Sequence, residues 1–187
     1  MRDQLRIAIF TIVEGVTLVV WLALVRSAAG IYRVSTGSLV GGILVLVLGF
    51  TIEHIIAYNV IHNRGLLDLQ GVPIAQKAVV SLIETVIWAV WLVLADLNII
   101  LAAVVLTGLL IVEHTLSDNV FKGRDIFSKL LDARTIGFSL VEVAGATIWL
   151  MLVQANMVVV GAAILLVASF IEHSLAVALA RQQTVSG

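Results

Sequence analysis

The sequence of 187 residues contains no cysteine, a single proline and few charged side chains, which make up 12% of it. The lack of cysteine excludes a secreted disulfide scaffold, and a net charge of −1 excludes a basic nucleic-acid-binding protein. One proline also excludes a collagen-like chain. What remains is 61% hydrophobic, whereas soluble domains are about 45–50% apolar. The composition therefore predicts an integral membrane protein.

Six stretches are long and apolar enough to cross a bilayer as α-helices, which takes roughly 17–25 residues each. We expect one membrane domain over residues 1–187, an all-α transmembrane six-helix bundle. The expected spans are approximately Ile7–Val25, Leu39–Ile61, Ala78–Ala95, Ile99–Ser117, Thr135–Val153 and Met157–Ala180.

The eleven basic residues lie outside these spans and favour one side of the membrane. Because cytoplasmic loops are enriched in Lys and Arg, this asymmetry predicts that both termini are cytoplasmic. The other side of the membrane then holds only Arg26 and Arg33. The cytoplasmic side holds Arg2, Arg6, Arg64, Lys77, Lys122, Arg124, Lys129, Arg134 and Arg181.

One pattern of polar residues occurs three times and predicts three copies of a two-helix hairpin, at approximately 7–61, 78–117 and 135–180. Three hairpins in one bundle favour pseudo-three-fold symmetry about the membrane normal. The second helix of each unit carries a Glu-His pair, at 53–54, 113–114 and 172–173. The first helix carries a hydroxyl residue, a glutamate three later and a tryptophan seven further on: Thr11, Glu14, Trp21; Ser81, Glu84, Trp91; Ser139, Glu142, Trp149.

All six aspartates lie in termini or connections, whereas all six glutamates lie inside the expected spans. Each glutamate is about seven residues from the cytoplasmic end of its span, or on the order of 10 Å at 1.5 Å per residue. Ionisable groups within a membrane are costly and usually carry function. The sequence thus predicts one polar layer, formed by Glu14, Glu53, His54, Glu84, Glu113, His114, Glu142, Glu172 and His173.

Helical spacing predicts the surroundings of this layer. The hydroxyls of Thr11, Ser81 and Ser139 share a face with the glutamates and are expected to hydrogen-bond them, with the indoles covering the carboxylates from deeper in the membrane. The small residues three positions after each histidine are expected to allow close helix packing. The connection at 118–134 is expected to form a short interfacial helix. Trp88 and His62 have no counterparts in the repeat and are interpreted as packing and interfacial residues.

The leading functional hypothesis is a metal centre, because glutamate and histidine from facing helices are the ligands of di-iron and di-manganese bundles. Iron, manganese or zinc would suit this ligand set, and the centre could act on a lipid-soluble or cytoplasmic substrate. A proton- or cation-coupled transporter or channel is an alternative. Two others are a structural polar clasp and a haem- or chlorophyll-type tetrapyrrole site. The expected partners are the lipid bilayer and, as hypotheses, a second copy of this chain or a membrane complex.

Overall fold

The computed structural model describes residues 2–26 and 35–185. Within these residues, the fold consists of six α-helices joined by short connections. The first hairpin has about ten more residues between its two glutamates than the other hairpins, which predicts a longer loop at 26–38. Residues 27–34 of this loop, which include Arg33, lie outside the described residues. The helices are α1 (Arg2–Val25), α2 (Thr36–Ile61), α3 (Ile74–Leu97), α4 (Ile99–Phe121), α5 (Ile136–Gln154) and α6 (Val158–Val185).

All six helices are long and apolar enough to span a membrane, which confirms the predicted helical membrane bundle. The connection between α3 and α4 is a single residue, Asn98, whose side chain accepts hydrogen bonds from the backbone N–H groups of Ile100 and Leu101. Asn98 therefore caps α4 while ending α3. In the turn before α6, Asn156 adopts the left-handed conformation, with φ of 60°. Asparagine tolerates this conformation better than most residues.

The six helices are arranged as a ring. Each helix packs against its neighbours in the chain, and α6 packs against α1, which closes the ring. At the place where the chain starts and α6 ends, Arg181 pairs with Asp3 at 3.0 Å and donates to Val60 O at the end of α2. We refer to this end of the bundle as the termini end. Exposed apolar side chains such as Leu48, Ile100 and Val104 cover the outside of the ring, as expected for contact with lipid.

A large apolar core fills the ring on the side of the polar layer away from the termini end. It includes the three repeated tryptophans, together with Leu106 and Leu150. Glycine allows close helix approach at some positions of this region. A Cβ atom on Gly49 would overlap the Thr17 side chain, whereas a Cβ on Gly41 or Gly108 would meet nothing within 4 Å. Close packing thus explains only some of the glycines in the spans.

The two links at the termini end, residues 62–73 and 122–132, are built alike and consist of turns and irregular backbone. The expected interfacial helix at 118–134 is wrong: α4 continues to Phe121, and only the 3-10 turn Ala133–Thr135 follows. A buried asparagine holds each link by donating both amide protons to link carbonyls. Asn59 donates to Leu66 O and Asp68 O, and Asn119 donates to Ile126 O and Lys129 O.

Candidate metal centre

The nine ionisable side chains expected in the polar layer meet in one network, with contributions from all six helices. Their carboxylate oxygens and imidazole nitrogens are connected by contacts of 3.1–3.9 Å. The six glutamates are between 3% and 7% exposed, so the network is screened from solvent and lipid. All nine side chains line a single cavity. We call this network the Glu/His layer.

Each histidine of the layer contacts the repeated hydroxyl of the next helix in the ring. This differs from the sequence-based expectation that the hydroxyls would bond the glutamates. The small rotation that separates the two arrangements cannot be obtained from residue spacing alone. The contacts are His54 Nδ1 to Ser81 Oγ at 3.0 Å, His114 Nδ1 to Ser139 Oγ at 2.7 Å and His173 Nδ1 to Thr11 Oγ1 at 2.9 Å.

The protons of these hydroxyls go to the backbone. Ser81 donates to Lys77 O, Ser139 to Thr135 O and Thr11 to Ile7 O, each at 2.9 Å. The hydroxyl oxygen is therefore the acceptor in its contact with histidine, and the imidazole carries its proton on Nδ1. In a neutral ring this arrangement leaves the lone pair on Nε2.

The Nε2 atoms of the three histidines face the glutamates. His114 Nε2 lies 3.1 Å from Glu142 Oε2, 3.6 Å from Glu113 Oε2 and 3.7 Å from Glu172 Oε1. His173 Nε2 lies 3.1 Å from Glu172 Oε2 and 3.5 Å from Glu14 Oε2. His54 Nε2 lies 3.5 Å from Glu113 Oε1 and 3.8 Å from Glu84 Oε2. Each histidine thus presents one nitrogen to a hydroxyl and the other to at least two carboxylates.

The buried group Glu53, His54 and Glu84 could hold a metal ion, because each residue offers one ligand atom and these atoms lie within 4.8 Å of one another. Several carboxylate oxygens of the layer also lack a hydrogen bond. Buried polar atoms are normally bonded, so such oxygens call for a proton or a cation. They are Glu14 Oε2, Glu84 Oε2, Glu113 Oε1 and Glu142 Oε2.

The repeated tryptophans do not line the cavity, although Trp21, Trp91 and Trp149 are each at most 2% exposed. They belong to the apolar core and close the bundle beyond the layer. A tryptophan that the repeat does not contain contacts the layer instead: Trp88 Nε1 donates to Glu84 Oε1 at 3.4 Å. Its position four residues after Glu84, one helical turn away, is the signal that could have identified it.

Lys77 is a second residue that the sequence pattern did not identify. The sequence places it outside the spans, on the cytoplasmic side, but it lies in the first turn of α3 and is fully buried. Its Nζ lies 3.4 Å from the centre of the Phe121 ring and 5.5 Å from that of Tyr58, and makes no hydrogen bond. Aromatic faces attract a cation, so the two rings accommodate the ammonium group.

The cavity occupies about 790 Å³, counted out to its open mouth. Every residue that lines it lies in the Glu/His layer or between the layer and the termini end. Ala57, Ser117 and Ala176, which follow the histidines by three residues, are part of its wall. Their small side chains therefore leave space beside the layer. No family model, curated protein or solved structure matches this chain, so the inference about its function rests on the geometry of the site.

Proposed function

We propose that this protein binds divalent metal ions within the membrane, and that the Glu/His layer is the metal centre. The observation that carries the proposal is the set of buried carboxylate oxygens without hydrogen bonds, facing histidine Nε2 atoms. The group of Glu53, His54 and Glu84 supplies a first ligand set. The proposed ligands are Glu14, Glu53, His54, Glu84, Glu113, His114, Glu142, Glu172 and His173.

The position of the ring proton on Nδ1 of each histidine supports a metal ion rather than a structural clasp. Metal-ligating histidine usually donates its second ring N–H to an oxygen, which fixes the tautomer and directs the other nitrogen at the ion. The contacts to Ser81, Ser139 and Thr11 supply that arrangement three times. A clasp would neutralise the layer with protonated glutamates instead, and metal retention by the purified protein separates the two.

The chemistry of the donors suits iron, manganese or zinc, because imidazole and carboxylate together bind these ions. Such an ion would supply Lewis acidity or, for iron and manganese, redox chemistry. A glutamate beside it would be available as a proton acceptor. Six carboxylates make a poor lining for a tetrapyrrole. A transmembrane channel would need a polar path through the far half of the bundle, where the core is apolar.

We further propose that the chain is built from three equivalent hairpins around a pseudo-three-fold axis, with both termini in the cytoplasm. The equivalent histidine–hydroxyl contacts support the repeat, since they link α2 to α3, α4 to α5 and α6 to α1. The excess of basic residues at the termini end supports the orientation. The bilayer is the proposed surrounding, and a homo-oligomer or membrane complex remains a hypothesis.

Elemental analysis of the protein purified in detergent and loaded with Fe²⁺, Mn²⁺ or Zn²⁺ tests the metal centre. Wild type should retain stoichiometric metal after gel filtration, and His54→Ala should lose it. His62→Ala is the matched control, because the ring of His62 bonds Tyr58 O outside the cavity. Metal-free wild type, or equal retention in both variants, would refute the proposal.

A further inference from the structure

The three hairpins place three equivalent positions at the termini end, where one first helix lies between two second helices. We call each position a seam and name it by its helices. Each seam consists of three residues, one on each of its helices. On the first helix, the residue lies four positions before the repeated hydroxyl. On the second helix that precedes it in the ring, the residue lies four positions after the histidine, and on the second helix that follows it, seven positions after the histidine. The seam residues are Ile7, Val177 and Ile61; Lys77, Tyr58 and Phe121; and Thr135, Asp118 and Ala180.

The α6–α1–α2 seam is filled by aliphatic side chains. Ile7, Val177 and Ile61 are each at most 8% exposed and belong to one apolar cluster that also contains Phe10 and Val60. Ile61 and Val177 also line the cavity, but their side chains are aliphatic. This seam therefore offers no polar route to the layer.

The α2–α3–α4 seam is filled by an aromatic–cation group. The Lys77 ammonium lies over the Phe121 ring at 3.4 Å and beside the Tyr58 ring at 5.5 Å. Phe121 lines the cavity, whereas Lys77 and Tyr58 do not, so this seam presents an aromatic wall.

The α4–α5–α6 seam carries a carboxylate, a hydroxyl and a methyl group in place of the large side chains, and Asp118, Thr135 and Ala180 all line the cavity. Ser117 continues this polar wall toward the layer, and Asp132 lies beside it at the end of the second link. No lysine or arginine is among the residues that line the cavity, whereas eight carboxyl residues are. Asp118 pairs with Lys122, and Asp132 pairs with Lys129 and Arg134, so these two carboxylates have basic partners outside the lining. The route is therefore polar, with the six glutamates of the layer at its inner end.

From this comparison, and resting on the proposed metal centre, we propose that the α4–α5–α6 seam is the port through which small hydrated cations reach the Glu/His layer from the water at the termini end. Entry of lipid-soluble molecules between the helices is the alternative that this proposal excludes. A polar side of the cavity wall between two apolar or aromatic sides selects for solutes that arrive from water, and the six glutamates at its inner end favour cations over anions.

Because the chain has no cysteine, one engineered thiol can report on the port. Ser117→Cys places a thiol on the cavity wall between the seam and the layer. We expect it to react with a water-soluble trimethylammonium methanethiosulfonate at least about tenfold faster than with the sulfonate analogue, an effect of the acidic lining. Ala102→Cys, buried in the apolar core and away from the cavity, should not react.

A plug variant tests the route. The substitutions Asp118→Val, Thr135→Ile and Ala180→Ile copy the aliphatic seam into the open one. In the Ser117→Cys background they should slow labelling by at least about tenfold. Ala178→Ile is the matched control, since Ala178 lies on the exposed face of α6. Should the triple variant fail to give a monodisperse helical protein, Ala180→Ile alone, with the same expected direction, decides the question.

Uptake of Co²⁺, followed by its absorption, is the second measurement. The plug should slow uptake while leaving the final occupancy unchanged, because no proposed ligand is altered. Unchanged labelling and uptake rates in the plugged protein would overturn the port. If labelling is slowed by the plug but wild type takes up no Co²⁺, the port stands and the proposed metal centre fails.

Discussion

His114 Nδ1 lies 2.7 Å from Ser139 Oγ, and the Ser139 hydroxyl donates in turn to Thr135 O. This relay holds the ring so that Nε2 faces Glu142 and two other carboxylates. Ser139 is therefore a positioning residue in the proposed metal centre. Ser139 fixes the tautomer and the orientation of His114, which is the proposed ligand, and is not itself a ligand.

Replacing Ser139 with alanine should lower metal affinity about 10–100-fold, the usual loss when a partner of a ligating histidine is removed. Ser139→Thr should retain the affinity, because Thr11 makes the same contact in the first hairpin. Chelator competition measures both. Ser174→Ala is the control, since its hydroxyl bonds only Phe170 O beside His173. Equal affinities for wild type and Ser139→Ala would contradict this role.

Lys77 and Phe121 should be energetically coupled. A desolvated cation over an aromatic face is stabilised by about 2 kcal/mol, so Phe121→Leu should destabilise the protein by more than the loss of packing alone. In a Lys77→Met background the same change should cost about 1–2 kcal/mol less. A double-mutant cycle of detergent-induced unfolding gives the coupling. Additive effects of the two substitutions would show that the ring does not stabilise the ammonium.

The second link should depend on Asn119. Asn119→Ala removes two hydrogen bonds and leaves Ile126 O and Lys129 O without their donor. A buried carbonyl that loses its donor lowers the stability by about 1–3 kcal/mol. Trypsin should then cleave at Lys122, Arg124 or Lys129 more rapidly, because cleavage requires local opening of the link. Asn156→Gly, at a turn on the other end of the bundle, should leave this rate unchanged. If trypsin cleaves the link of Asn119→Ala no faster than the link of wild type, Asn119 does not hold this link in place.

Asp132 makes stability depend on pH. Hydrogen bonds from the Arg134 and Lys129 side chains hold the pKa of the Asp132 carboxyl well below its usual value of about 3.9. Since the folded-state pKa is the lower one, this stabilisation is complete above about pH 5 and is lost as the pH falls through the folded-state pKa. Asp132→Asn should therefore lower the melting temperature at pH 7, and the difference should shrink below about pH 4. A difference between wild type and Asp132→Asn that stays constant over this pH range would contradict the linkage.

The helices and the nine residues of the Glu/His layer could be predicted from the sequence because hydrophobic length and the segregation of Glu from Asp do not depend on fine geometry. The partner of the Ser81 hydroxyl could not be predicted, since rotation of α3 by a fraction of a turn decides between Glu84 and His54. The burial of Lys77 depends on two rings from other helices. The predicted helix in the second link was wrong because hydrogen bonds from Asn119, and not a helical repeat within the link, organise this segment.

The contact between Thr11 and His173 spans 162 residues of sequence, and it is one of three on which the layer depends. During synthesis α1 enters the membrane with Glu14 long before α6 exists. Until Glu172 and His173 arrive, Glu14 lacks part of its final environment, and the cost of holding it in lipid favours the protonated form. Biogenesis of this protein should consequently show a late, all-or-none step, in which insertion of α6 brings Glu172 and His173 to the first helix and completes the Glu/His layer.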